Sequence, residues 1–249
     1  MIGLVRAEFL KIRTTQVWFW LLLAALAVSA LIVIATMASA QGVISAADVP
    51  DVFATTNSAS IVVFVLGILG VTTEFRYQTI TPTVLATPSR WTLISAKMIT
   101  YVILGALYAL ACLVVELAIA VPWLAAKNVP FNLGDPDLRR ALLGLVLVLA
   151  LLSIVGLGVG ALIRNQIVAV TVGLVFLLLI QNIIVTIPYV RAAWPYTPSG
   201  AVTAILFHRS GAPDDVSLLS PLAGVLVLLL WAFVPAVIGA SYSMNRDIT

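Results

Sequence analysis

Five stretches of this sequence, residues 17–38, 98–121, 141–163, 166–187 and 222–242, run about 21 to 24 residues each with at most one ionisable side chain, and at ~1.5 Å per residue such a run covers the roughly 30 Å hydrocarbon core of a bilayer. Backbone in lipid must satisfy its own polar groups, so segments of this kind are expected as helices. A sixth crossing, residues 53–73, is less uniform. Its strongly apolar part is only 61–71, and a full span takes in Thr55, Thr56, Asn57, Ser58 and Ser60. Those side chains must face protein or a wet cavity, because hydroxyls and amides exposed to lipid lack partners. A re-entrant segment is the alternative. Apolar residues make up 62% of the chain and charged ones 9%, where a soluble domain has roughly 25% charged. The expected fold is an all-α integral membrane protein with six transmembrane helices in a single domain, residues 1–249.

Charge distribution orients it. With both termini in the cytoplasm, the inside carries Arg6, Lys11, Arg13, Arg76, Arg90, Lys97, Arg164 and Arg246, and the outside carries Lys127, Arg139, Arg140, Arg191 and Arg209. This split follows the positive-inside rule, with Arg139 and Arg140 as the main dissent. Residues 17–38 are too long for a signal-peptide core and are expected as a retained span. Ahead of them Ile2, Val5, Phe9 and Ile12 recur at helical spacing while Arg6, Glu8, Lys11 and Arg13 take other faces. That pattern predicts a short helix over residues 3–13 lying in the cytoplasmic interface. On the outside, residues 188–210 should contain a short helix capped by Ser199, running from Gly200 to about Phe207 and dipping into or lying on the outer leaflet beside Trp194 and Tyr196.

The inventory of reactive groups excludes most chemistry. His208 is the single histidine and Cys112 the single cysteine, so neither a zinc pair nor an intrachain disulfide is available. The lysines are Lys11, Lys97 and Lys127, none preceded by glycine, so the chain has no phosphate-cradling Walker loop and binds no ATP by that route. A net charge of +3 does not argue for nucleic acid in a membrane chain. Any ATP-driven work needs a separate subunit that holds the ATP and Mg.

Within the spans, Glu116 is the ionisable residue, on a face with Gly105, Ala109 and Cys112. Buried charge of this kind marks a substrate path, a gate or an ion pair, or reaches water at the outer edge. Gln181 and Asn182 place two amides near the outer end of the fifth span and could touch substrate or bond to neighbouring backbone. Ser153, Gly156 and Gly160 share one face of the fourth span and allow close helix packing, within the chain or between copies.

The loop between the second and third spans, residues 74–97, is the most informative. Thr81 followed by Pro82 opens a helix that Pro88 limits to a couple of turns, with Ile80, Val84 and Leu85 on its apolar side. A short bounded helix with apolar and basic groups suits docking to a cytoplasmic partner. Glu74-x-Arg76, then Thr79-Ile80, Leu85, Pro88-x-Arg90 and Lys97, together with Phe9-x-Lys11 before the first span, Arg164-Asn165 after the fourth and Tyr196-Thr-Pro198-Ser199 outside, resembles the permease subunit of type-2 ABC transporters, a largely exporting group that includes bacitracin-type and sodium-type efflux permeases.

The resemblance implies a half-pore in the bacterial cytoplasmic membrane, completed by a second permease that is identical or a paired relative, and two cytoplasmic ABC ATPase subunits. It implies that residues 3–13 form an elbow helix and that Arg76, Thr79, Ile80, Thr81, Val84 and Leu85 form the coupling helix, bracketed by Glu74 and Arg90. Membrane lipid and a hydrophobic or amphipathic substrate complete the expected partners. The glycine often found before the Thr-Ile pair is Gln78 here. A non-transporting scaffold or immunity protein, and a self-contained secondary transporter, are the alternative readings.

Overall fold

A computed structural model of the chain describes residues 2–39, 45, 48–78, 90–207 and 216–244. Helix α1 is Ile2–Thr14 and α2 is Val17–Ser39. The next crossing is broken: α3, Val49–Thr55, passes through a 3-10 turn, Thr56–Ser58, into α4, Ala59–Arg76. Helix α5 is Arg90–Ala126 and α6 is Pro136–Leu162. The span Gln166–Thr186, here α7, carries a π-helical turn at Phe176–Ile180. A 3-10 segment, Arg191–Tyr196, leads into α8, Pro198–Leu206, and α9 is Pro221–Met244.

Six helical stretches are long and apolar enough to cross a membrane: α2, α3 with α4, α5, α6, α7 and α9. Most of the observed helices overrun the sequence-based spans by one to several residues, while α6 and α7 each end one residue short of theirs. The third differs most, because α5 starts at Arg90 and takes in the C-terminal end of the expected loop, residues 90–97, as helix. The break before α4 falls on the polar run, where Ser60 is buried and Asn57 and Ser58 are half-buried against protein.

Helix α6 is the hub, and α4, α5 and α9 pack around it. Of its apolar window 72% is buried, against 17% for α2 and for α7, which keep Trp20, Leu31, Ile167 and Leu179 exposed at the rim. Glycine makes the hub possible. A Cβ on Gly156 would collide with the carbonyl oxygen of Phe64 in α4, and one on Gly67 would collide with that of Ser153 in α6. Each helix therefore presents a bare backbone to the other, the close approach by which membrane helices gain van der Waals contact without a hydrophobic driving force.

On the far side of the bundle from α1, α8 is buried between α6 and α9. Its cap corrects the sequence reading. Thr197, not Ser199, occupies the N-cap and accepts from the Gly200 amide at 3.3 Å, and Pro198 takes the first helical position, where its missing N–H costs nothing. Arg140 donates to the carbonyls of Ala204 at 3.2 Å and Ile205 at 3.4 Å, so one of the two dissenting arginines closes the C-terminal end of this helix, where a cation suits the unpaired carbonyls.

Candidate functional site

At the end of the bundle where α1, the C-terminal turn of α4 and the first turns of α5 meet, four charged side chains form a closed cluster. Lys97 Nζ donates to Glu8 Oε2 at 2.8 Å and to Glu74 Oε1 at 2.7 Å. Lys11 Nζ donates to Glu8 Oε1 at 2.9 Å and to the same Glu74 oxygen at 2.9 Å. Two ammonium groups and two carboxylates alternate, so the formal charge cancels. The Glu8, Glu74 and Lys97 side chains are 5%, 8% and 6% exposed, and Lys11 reaches solvent at 41%.

Helix α1 explains how the cluster forms. Glu8 is its buried residue, while Ile2 and Leu10 are exposed. This corrects the expectation that its charges avoid the packed face. Residues three or four apart share a face, so Val5, Glu8 and Ile12 point inward together. Burial alone would raise the Glu8 carboxyl, but the charge and hydrogen bonds of Lys97 and Lys11 outweigh it and hold it below the ordinary 4.5. Burial would lower Lys11, but the hydrogen bonds it donates to Glu74 and Glu8, with their charge, outweigh that and raise it above 10.5. Both groups are thus held ionised.

The cluster's position gives it leverage. Glu74 precedes and Lys97 follows the stretch that joins α4 to α5, so Lys97 ties the two flanks together, and α1 is tied to the first flank by Lys11 and to the second by Glu8. The sequence reading set Glu74 and Arg90 as brackets on either side of the docking helix; in the structure Glu74 accepts from Lys97, and Arg90 is the first residue of α5. Glu8, Lys11 and Lys97 were not read as site residues. Their signal was the Glu8/Lys11 spacing of one helical turn on an otherwise half-apolar face. Thr79, Ile80, Thr81, Val84 and Leu85, the expected docking helix, lie outside the described residues.

Beside the cluster, Phe75, Arg76, Arg164, Asn165, Gln166 and Ile167 line an open cleft of about 590 Å³. Arg76 Nη1 donates to Gln166 Oε1 at 3.3 Å, and the Arg164 guanidinium lies 5.6 Å from the centre of the Phe75 ring. The Asn165 side chain caps α7 by accepting from the amides of Ile167 at 3.0 Å and Val168 at 3.2 Å.

The other sequence candidates are dispersed. Glu116 is fully buried in α5 and accepts from the Ser29 hydroxyl of α2, so access to it requires α2 and α5 to part. Gln181 is buried and accepts from the Ser199 amide at 2.6 Å, holding α7 to the start of α8. Asn182 is exposed and donates to the Leu178 carbonyl one turn back at 2.7 Å. Ser153 Oγ lies 2.7 Å from the carbonyls of Tyr101 in α5 and Ala150 in its own helix. Gly160 adds to the Gly156 contact, since a Cβ there would stand 2.7 Å from the Ile68 carbonyl oxygen. Among the described residues no group of His, Cys, Asp and Glu could hold a metal ion.

Six apolar spans packed about the glycine-bared helix α6, with charge gathered at one end, define a polytopic membrane protein. Residues 4–180 match the family model described as ABC-2 family transporter protein. That match covers more than half of the chain, from α1 into the π-helical turn of α7 and across the ion cluster, and the protein belongs to the ABC-2 transporter family. No curated protein matches the sequence.

Proposed function

We propose that this chain is the permease of an ATP-driven exporter, forming half of a translocation path with a second copy of itself and driven by separate cytoplasmic ABC ATPase subunits. The observation that carries the reading is the Lys97 bridge. A partner pushing on residues 79–89 acts on a segment whose two flanks are joined through Glu74, Lys97, Glu8 and Lys11 to an independent helix. A displacement there moves α4, α5 and α1 together, and the glycine contacts between α4 and α6 carry it to the hub. Such rigid-body coupling is an established way for packed helices to pass on motion. Glu74, Arg76 and Arg90 with residues 79–85 constitute the coupling element in this scheme, and α1 the elbow at the cytoplasmic interface.

The substrate fitting the scheme is hydrophobic or amphipathic, because the spans supply few charges. Glu116 and Gln181 contact it only in a conformation that separates α2 from α5 or α7 from α8, whereas Asn182 is already exposed. Purification of the tagged chain from its native membrane in mild detergent tests the assembly. The expected result is a stoichiometric ATPase that is lost on Arg76→Glu or on Leu85→Pro. Lys97→Gln should keep the ATPase bound but abolish its stimulation by the permease. Recovery of folded chain with no ATPase would overturn the reading.

A further inference from the structure

Helix α7 changes partners at its π-helical turn. Before the turn, Gln166–Val175 packs on α4 and α6 with Ala169 and Gly173 buried, and a Cβ on Gly173 would stand 2.8 Å from the Phe64 ring. After it, Gln181–Thr186 packs on the 3-10 segment Arg191–Tyr196, and Gln181 is the buried residue. No residue of the turn itself, Phe176–Ile180, is buried. Two halves with different neighbours therefore meet at a joint that has no core of its own.

The joint decides which residue faces α8. In a straight α-helix, residues seven apart are close to two full turns apart and share a face, so Ile180 would continue the face of Gly173. The backbone amide of Gln181 instead donates to the Phe176 carbonyl five residues back, one more than the α spacing. That extra residue carries Gln181 into the inward seat, where its Oε1 accepts from the Ser199 amide at 2.6 Å, and leaves Ile180 exposed. Either tenant leaves one donor unpaired, which costs stability in a buried place. With Gln181 seated it is Nε2, buried with no acceptor among the described residues; with Ile180 seated it would be the Ser199 amide. Outside the seat an amide serves itself, since Asn182 donates to the Leu178 carbonyl one turn back at 2.7 Å.

We propose that α7 switches between this π form and a straight α form, turning Gln181–Thr186 by one residue, roughly 100°, so that Ile180 replaces Gln181 against α8. Single π turns are frequent at functional sites, and membrane helices accommodate such local changes of hydrogen bonding. In the α form Gln181 takes the place that Asn182 now holds and satisfies its amide on the Leu177 carbonyl. The near balance of the two seats is what makes the turn reversible. The switch is a property of this chain alone. Its use in transport, which is to release Gln181 Nε2 and the Ser199 amide toward acceptor oxygens on a substrate, rests on the permease reading.

Cysteine cross-linking of the full chain in lipid nanodiscs tests the switch with no ATPase present, so its failure is separate from failure of the permease reading. In a Cys112→Ala background, Ser199→Cys is combined in turn with Ile180→Cys, Gln181→Cys or Asn182→Cys. Each pair is treated with a short bis-methanethiosulfonate, and linked peptides are quantified by mass spectrometry. The 181/199 pair reports the π form and the 180/199 pair the α form. Both should link, and 180/199 should link at least fivefold faster than 182/199. Deletion of Leu178, which takes the extra residue out of the turn, should slow 180/199 linking at least fivefold and leave 181/199 within about twofold. Gln181→Lys, whose ammonium is shut out of the buried seat, should speed 180/199 linking at least fivefold, and it decides the matter should the deletion variant not be recovered. A rigid α7 would link 180/199 no faster than 182/199, or at a rate that neither change alters, and either result would overturn the switch.

Discussion

Lys97 Nζ lies 2.7 Å from Glu74 Oε1 although the two residues open and close the connection between separate membrane helices, and the same ammonium reaches Glu8 of the N-terminal helix at 2.8 Å. Removing it would leave two buried carboxylates facing each other with only the half-exposed Lys11 between them. Breaking a buried pair from one side costs about 3–5 kcal/mol. Lys97→Met should therefore lower stability in detergent by about 3 kcal/mol, measured by thermal unfolding, and Lys97→Arg should recover most of it. A double-mutant cycle of Lys97→Gln with Glu74→Gln should show a coupling energy of about 1–3 kcal/mol. A value near zero would mean that the bridge does not hold the flanks together.

The same cluster sets a pH window. The Glu8 carboxyl is held below its ordinary 4.5, so the folded state binds fewer protons than the unfolded state as pH falls through that region. Its contribution is present above 4.5 and is lost as pH drops through the depressed folded value. Lys11 is held above 10.5, so its contribution is complete below 10.5 and disappears as pH rises through the raised folded value. Stability should be flat between these limits and fall beyond each. In Glu8→Gln the acid limb of a melting-temperature profile should be reduced, and in Lys11→Gln the alkaline limb.

The spans were legible because nothing but a membrane can house runs so long and so apolar, and the small-residue face of Ser153, Gly156 and Gly160 is visible from local spacing alone. The ion cluster was not. Its partners lie 63 and 89 residues apart, and a charge on an amphipathic helix reads as solvated until the fold supplies a buried cation. Glu8 therefore looked like surface and Lys97 like a topology marker. The Thr197 cap was within reach, since proline fits the first helical position and the residue before it is the natural cap. Arg140 looked like a violation of charge bias because only the tertiary structure brings the end of α8 to it.

Glycine packing predicts a graded series. Gly3 in α1 has nothing within 4 Å of an added Cβ, so Gly3→Ala should be neutral or gain up to about 1 kcal/mol from helix propensity. At Gly160 the added carbon would stand 2.7 Å from the Ile68 carbonyl oxygen, which a small helix shift can relieve, and Gly160→Ala should cost about 1–3 kcal/mol. At Gly156 the carbon meets the Phe64 carbonyl head-on, so Gly156→Ala must push α4 from α6 and should cost more than Gly160→Ala. Yield of monodisperse protein and melting temperature measure all three. A harmless Gly156→Ala would contradict the close α4–α6 approach.

Gln78 marks where the chain leaves α4, with φ at +56°. Tyr77 donates to the Thr73 carbonyl at 2.9 Å and Gln78 to that of Phe75 at 3.3 Å, so the helix ends by turning through the left-handed region. That region is costly for a side chain with a Cβ, at roughly 1–2 kcal/mol, and nearly free for glycine. Glycine also has more freedom to lose on folding, which offsets part of the gain. Gln78→Gly should raise stability by about 0.5–1 kcal/mol, and Gln78→Val, branched at Cβ, should lower it by at least as much. The two substitutions must move the melting temperature in opposite directions, because the same backbone angle underlies both. Since Glu74 lies one helical turn before this position, the glycine variant should also leave the bridge to Lys97 intact, and the coupling energy of the Lys97/Glu74 cycle should be the same in its background. A changed coupling energy would show that the left-handed turn itself sets the position of Glu74.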